Sequence, residues 1–229
     1  MKRHPIHLTG ILILLAALPL RAENWTKFTS QPDANNIRIE GTSTLHDWAV
    51  EGTIIRGFYE VEQNSFSALL GGERSNSTAP KVRAHVRAEI PVRSLKSNKK
   101  GMDKRMYKAL KAEKHAAISY RLQEARVKDR GSRTDADASV SVLATRGELT
   151  IAGVSRTLEM HVKMERIEEK NLRFTGEIPL KMTDFGVKPP KAMLGAIRTG
   201  DEIKIYFTWT TRMDRRTALW LSSLTRLQN

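Results

Sequence analysis

Lys81-Val-Arg-Ala-His-Val-Arg-Ala-Glu-Ile90 alternates without a break. Val82, Ala84, Val86, Ala88 and Ile90 fall on one face; Lys81, Arg83, His85, Arg87 and Glu89 fall on the other. Successive side chains of a strand point to opposite faces, so the pattern predicts an antiparallel strand with one apolar and one wet side. The same period returns at Ile118, Tyr120 and Leu122, at Leu158 to Met164, at Phe174 to Leu180 and at Ile203 to Trp209. Weaker alternation runs through 37–41, 45–52, 54–61, 139–144 and 147–151. Turn residues such as Gly71-Gly72, Asp129-Arg-Gly131 and Gly200-Asp201 separate the runs. Eight or more meandering strands predict an all-β barrel or sandwich.

One segment breaks the period. Asn98 to Lys114 is rich in good helix formers, and Met102, Met106, Ala109 and Leu110 share a face at three- and four-residue spacing. A single helix of about ten to twelve residues is expected there, crossing between two strands, with lysine and arginine on its far side. Gly71–Pro80 reads as a long polar loop. No internal repeat stands out, and one domain is expected from 25 to 211, followed by a basic C-terminal tail at 212–229.

Residues 1–22 have the form of a signal peptide: Lys2 and Arg3, a short apolar run from Ile11 to Leu18, and Ala22 as a cleavage residue. That run is well short of the roughly 20 residues that span a membrane. The mature protein is therefore expected to be soluble and periplasmic or secreted.

The 229 residues carry 39 Lys and Arg against 25 Asp and Glu, a formal charge of +14. The hydrophobic share of 40% supports one core, and the lack of cysteine excludes disulfides, thiolate metal sites and cysteine nucleophiles. Basicity suggests an anionic partner, but it is local. Residues 96–114 hold eight positive and two negative charges, and 212–229 hold four and one. The helix has only Tyr107 as an aromatic, so base stacking has no platform and a nucleic-acid partner is not expected. An anionic membrane surface fits better.

Chemistry-bearing motifs are absent or misleading. Asp184-Phe185-Gly186 spells the kinase magnesium tripeptide without a glycine-rich loop or catalytic loop to accompany it. His46, His85, His115 and His161 are scattered, with no pair at metal-ligand spacing. His46 and Asp47 are neighbours on a predicted strand, which faces them apart; a backbone hydrogen bond at a barrel rim is the expected role. Neither a catalytic residue, a metal nor a cofactor is predicted.

Five segments in order resemble the YceI-like family of secreted polyisoprenoid-binding proteins. They are Ser43-Thr-Leu-His-Asp-Trp48 with Gly52 and Gly57-Phe58, Ala88-Glu-Ile-Pro-Val-Arg-Ser-Leu95, and Asn98 to Ala117 with Asp103, Arg105, Met106 and Leu110. The last two are Gly147-Glu-Leu-Thr-Ile-Ala-Gly-Val-Ser-Arg-Thr-Leu158, with a hairpin turn at Ala152-Gly153, and Asp184-Phe-Gly-Val187. The chain departs from the family at His46-Asp47-Trp48, where a His-Ser pair is usual, and at the rim formed by Lys188-Pro-Pro-Lys191 and Met193-Leu194-Gly195.

The resemblance implies an eight-stranded antiparallel lipocalin-like barrel with one helix between strands, and a lumen for an isoprenoid or fatty lipid. Such a lumen needs apolar shape and no catalysis. Candidate lining residues are Trp48, Phe58, Val86, Ile90, Ile118, Tyr120, Met160, Phe174, Ile205 and Phe207, with Met106 at the mouth and Phe185 beside it. A filled core would show the same strand faces. The alternative is therefore a filled barrel that uses its basic helix on a membrane surface or partner.

Overall fold

The computed structural model describes residues 25–70, 81–130 and 139–215. The expected signal peptide, the polar loop 71–80 and most of the C-terminal tail lie outside the described residues. The strands in chain order are β1 (Trp25–Ser30), β2 (Asn36–Ser43), β3 (Trp48–Gly52), β4 (Arg56–Glu62), β5 (Lys81–Val82) and β6 (Ala84–Pro91). They continue as β7 (Ala117–Arg130), β8 (Val140–Ile151), β9 (Val154–Glu168), β10 (Asn171–Lys181), β11 (Lys191–Ala192) and β12 (Ile197–Met213). Helix α1 (Gln63–Leu69) follows β4, and α2 (Lys100–Ala109) crosses from β6 to β7.

Following the ladder gives β1-β4-β6-β7-β8-β9-β10-β12, and β12 pairs back onto β1. This is a closed antiparallel barrel of eight strands. β2 and β3 prolong β1 and β4 toward one end. The long strand β12 meets β1 at Thr211–Met213 and β2 at Thr199–Thr208. β3 in turn bridges Glu51 to Lys96 beyond β6. The first two strands of the barrel are thus long, bent strands, each broken once, at 31–35 and 53–55.

The breaks are cross-linked. Between β1 and β2 the backbone of β12 would lose its partners, and buried Asn35 takes their place. Its Oδ1 accepts from the Thr210 N–H at 2.9 Å, and its Nδ2 donates to the Gln31 carbonyl at 2.6 Å. Ser30 joins both breaks: its hydroxyl accepts from Trp209 Nε1 at 3.0 Å and donates to the Ile55 carbonyl. A backbone polar group sealed from water costs free energy unless paired, so these side chains make an interrupted ladder tolerable.

The predicted strand faces point inward as expected. Several local features differ from the sequence reading: the stretch 81–90 is split at Arg83 into β5 and β6, and the run 54–61 is a strand only from Arg56. Segments 139–144 and 147–151 form one strand, β8, because inward Thr145 satisfies its own hydroxyl by donating to the Met160 carbonyl at 3.0 Å. β3 begins only at Trp48, because Ser43 Oγ accepts from the N–H groups of Leu45 and His46 and donates to the His46 carbonyl, forming a local turn. Helix α1 and strand β1 had no clear periodic signal. The turn at Ala152 and Gly153, with φ of 52° and 85°, is the two-residue hairpin anticipated there.

Aromatic rings lie flat against the wall where a neighbouring strand carries glycine. A Cβ at Gly147 would overlap the Tyr120 ring, and one at Gly176 would sit 2.7 Å from Phe207. Asn35→Ala leaves the Thr210 N–H sealed and unpaired. It is expected to destabilise the fold by about 2 kcal/mol in denaturant titration, whereas Asn35→Asp, which keeps the acceptor, should cost less.

Candidate functional site: an apolar lumen with a basic mouth

The far end of the barrel is packed with rings. Phe28 meets Tyr59 and Phe66 with centroids at 5.9 and 5.4 Å, and Phe174 meets Tyr59 and Trp209 at 5.1 and 5.5 Å. Leu69 of α1 is fully buried there, and its carbonyl accepts from the Ser141 hydroxyl at 2.8 Å. Above this floor is an inner chamber of about 130 Å³, walled mostly by strand side chains, with no charged group among the described residues that line it. An outer chamber of about 330 Å³ continues from it to the opposite end, where α2, the 43–48 turn and the 182–197 segment form the mouth. Ile39, Ile118 and Ile205 belong to both walls, so the chambers are neighbours that share these side chains.

Helix α2 is positioned by what it touches. Asp103, buried on its inner side, accepts from the Ser97 N–H at 2.8 Å and the Ser97 hydroxyl at 2.6 Å. The Tyr107 hydroxyl donates to the Leu95 carbonyl at 2.7 Å, and Lys96 Nζ donates to Tyr107 at 2.9 Å. These bonds tie the helix to the exit of β6. Met102, Met106, Ala109 and Leu110 consequently face the outer chamber together. Phe185 is held by a short turn, Met182–Phe185, in which Asp201 accepts from the Thr183 N–H at 2.9 Å and hydroxyl at 2.6 Å. Those bonds hold the Asp201 carboxyl below the usual carboxylate range. Gly186 ends the turn at φ 64°. The kinase-like tripeptide is thus a capped turn that presents a buried phenyl ring.

Of the predicted lining residues, Trp48, Met106 and Phe185 border the outer chamber, and Val86, Ile90, Tyr120, Met160, Phe174 and Phe207 the inner one. Ile118 and Ile205 border both. Phe58 is the exception and is corrected here. In β4, Tyr59 and Val61 are buried, so period two turns Phe58 outward, where Lys27 Nζ sits 4.5 Å from its ring centre. The sequence reading did not select Tyr59, Ile39, Leu149 or Trp209 as wall residues, although strand parity marks each of them. It also did not select Lys99, Arg105, Lys181 and Lys191, which line the mouth. No periodic signal places those four together.

The histidines do not gather. His46 Nδ1 donates to the Asp47 carbonyl, 2.7 Å away on the exposed rim. His85 stacks on Trp25 at 4.6 Å, and His161 lies 3.2 Å from Lys128 Nζ on the outside. Among the described residues no group of three or more His, Asp or Glu side chains is placed to hold a metal ion. Among them, too, no helix is long and apolar enough to cross a membrane.

A closed eight-stranded antiparallel barrel with an internal apolar chamber is lipocalin-like, a size that holds one small ligand. The model of the YceI-like domain matches residues 28–211, and the chain belongs to that family. No curated protein matches it. A polyisoprenoid-binding domain from Saccharophagus degradans, implicated in plant cell wall breakdown, superposes with a TM-score of 0.58 at 9% identity. That match covers 82% of this chain and 98% of the other. Burkholderia cenocepacia BcnA superposes with a TM-score of 0.55 at 12% identity, over 79% and 98% of the two chains.

The Tyr59 hydroxyl is fully buried and has no hydrogen-bond partner among the described residues, and burial pushes its pKa well up. A raised folded pKa means that the stability tied to the proton is intact below the unfolded value near 10 and falls as pH rises above it. Tyr59→Phe is expected to be about 1 kcal/mol more stable near neutral pH, and to lose less stability than the wild type between about pH 9 and pH 11. Denaturant titrations across that range check both.

Proposed function

We propose that this protein binds and carries an isoprenoid or other long-chain lipid, tail inward, in the barrel lumen, outside the cytoplasm and without catalysis. The observation that carries this reading is the pair of neighbouring chambers, lined mainly by apolar side chains from Trp209 at the floor to Met102 at the mouth. A mouth chamber of about 330 Å³ falls in the range of ligand pockets, roughly 300–1,000 Å³. Desolvation of each buried CH₂ contributes about 0.8 kcal/mol, so a few isoprene units suffice for tight binding. Membership of the YceI-like family and the polyisoprenoid-binding structural neighbour support a lipid ligand. The signal-like N-terminus supports the compartment. Flexible methionines at the mouth suit ligands of varied shape.

Solvent extraction of protein purified from its own cells, followed by mass spectrometry, should release one or a few long-chain lipids. If nothing is released and no apolar fluorescent probe binds the delipidated protein, the reading fails. Ile118→Trp, at the junction of the chambers, should weaken probe binding by about tenfold or more with the fold retained.

A membrane surface is the second partner we propose, on a separate observation. Leu45, Met193 and Leu194 are 66%, 74% and 111% exposed, and all three lie in the loops that form the mouth. Met193 and Leu194 are both turned outward at positive φ, 49° and 54°. Lys100, Lys104 and Lys108 are exposed on the adjacent helix. An apolar prow beside a basic face suits an anionic bilayer. Co-sedimentation should rise with the anionic fraction of the vesicles, fall with salt, and drop for Met193→Ser with Leu194→Ser. Binding indifferent to all three would count against it.

A further inference from the structure

Helix α2 has two opposed faces. At about 100° per residue, Met102, Met106, Ala109 and Leu110 form one, and Lys100, Lys104 and Lys108 the other. The first lines the outer chamber, and the second is exposed. Asp103, the only acid in the helix, is buried against Ser97. None of the three lysines has a carboxylate within ion-pair distance among the described residues. Elsewhere around the mouth, the 43–48 turn is joined to the end of the 182–197 segment. The Thr44 N–H donates to the Arg198 carbonyl at 3.0 Å, and its hydroxyl donates to the Ala196 carbonyl at 3.2 Å. Exposed Leu45, Met193 and Leu194 are thus carried on one braced rim of the same opening.

The helix is tied on one side only. Its side-chain hydrogen bonds run to residues 93–97 at the exit of β6, and among the described residues none runs to the rim. Asn98 and Lys111, just outside its two ends, both sit at left-handed φ, 62° and 52°. Parting α2 from the rim therefore breaks no hydrogen bond or ion pair of the helix. In water the apolar face so bared would be hydrated at a cost; against the acyl chains of a bilayer it would not. The same holds for the ligand. Each buried CH₂ slows escape into water about fourfold, so about ten of them slow it on the order of a millionfold. We infer that lipid passes directly between the lumen and an anionic bilayer while α2 and the rim rest on its surface, without crossing water. This rests on the two readings above, the lipid ligand and the membrane partner, and adds the route by which one reaches the other.

The test loads the delipidated full chain with retinol, a fluorescent isoprenoid alcohol, and mixes it rapidly with vesicles that contain a quencher lipid. The transfer rate should rise in proportion to vesicle concentration. It should be about tenfold or more faster to phosphatidylglycerol vesicles than to phosphatidylcholine vesicles, with the difference shrinking as salt rises. The variant Lys100→Glu/Lys104→Glu/Lys108→Glu changes no side chain that lines the lumen. It should hold retinol as tightly as the wild type and deliver it to phosphatidylglycerol vesicles about tenfold or more slowly. The milder Lys100→Gln/Lys104→Gln/Lys108→Gln should fall between the two. A rate indifferent to the concentration and charge of the vesicles means exit through water; it overturns the inference and leaves lipid binding standing. If the wild type sediments with anionic vesicles and still transfers at such a rate, the inference falls and the membrane partner stands. A glutamate variant that delivers retinol as fast as the wild type overturns it as well. If the chain takes up no retinol, the lipid reading falls and this inference with it.

Discussion

One edge of β12 has to serve two strands, and the barrel depends on how that edge is kept paired. Its other edge follows β10 from Asn171 to Lys181 without interruption. On this one, β2 ends and β1 begins, and the Thr210 backbone falls in the gap. Asn35 supplies the missing acceptor from a side chain, and Ser30 binds Trp209 on one side and Ile55 on the other. With the ladder intact across the gap, eight strands close. With eight strands closed, the alternation of every strand resolves into a wall with an apolar inside and a charged outside.

Wet and dry faces were legible because alternation is a local property. Val82 to Ile90 and Ile203 to Trp209 declare which side is inside wherever the strand lies. Phe58 shows where that reading fails. Its place in the Gly57-Phe58 motif suggests an inward ring, whereas its own strand, counted from buried Tyr59 and Val61, turns it outward. Thr145 shows a second limit. A polar residue at an inward position looks like the end of a strand until its hydroxyl is seen to reach the Met160 carbonyl. The mouth was the least legible part. Lys99, Arg105, Lys181 and Lys191 are distant in sequence, and only the crossing of α2 over the end of the barrel brings them to one opening.

The charge of the chain takes on a more definite meaning in this light. A formal +14 over 229 residues first suggests a broad attraction to anions. In the folded barrel, several outward cations are paired across strands, as in Lys27 with Glu60 at 2.8 Å and Arg83 with Glu62 at 2.8 Å. Such exposed pairs contribute little to stability, but each neutralises its own patch of the wall. Lys99, Arg105 and Lys191, which no such pair includes, lie at the opening, near the exposed Leu45, Met193 and Leu194.

The packed floor under α1 makes the lumen single-ended. A lipid chain bound tail-first, as proposed, would have one way out, and its whole buried length would have to be rehydrated before it left into water. At about 0.8 kcal/mol per CH₂, each added methylene lengthens the residence time by roughly fourfold until the lumen is full. Discrimination between short and long chains would then be expressed in how long each stays, with little difference in how fast each arrives. On that reading, a floor of phenyl and indole rings would act as a clock on exchange, set by the depth at which the packed Phe174 and Trp209 rings would stop the chain.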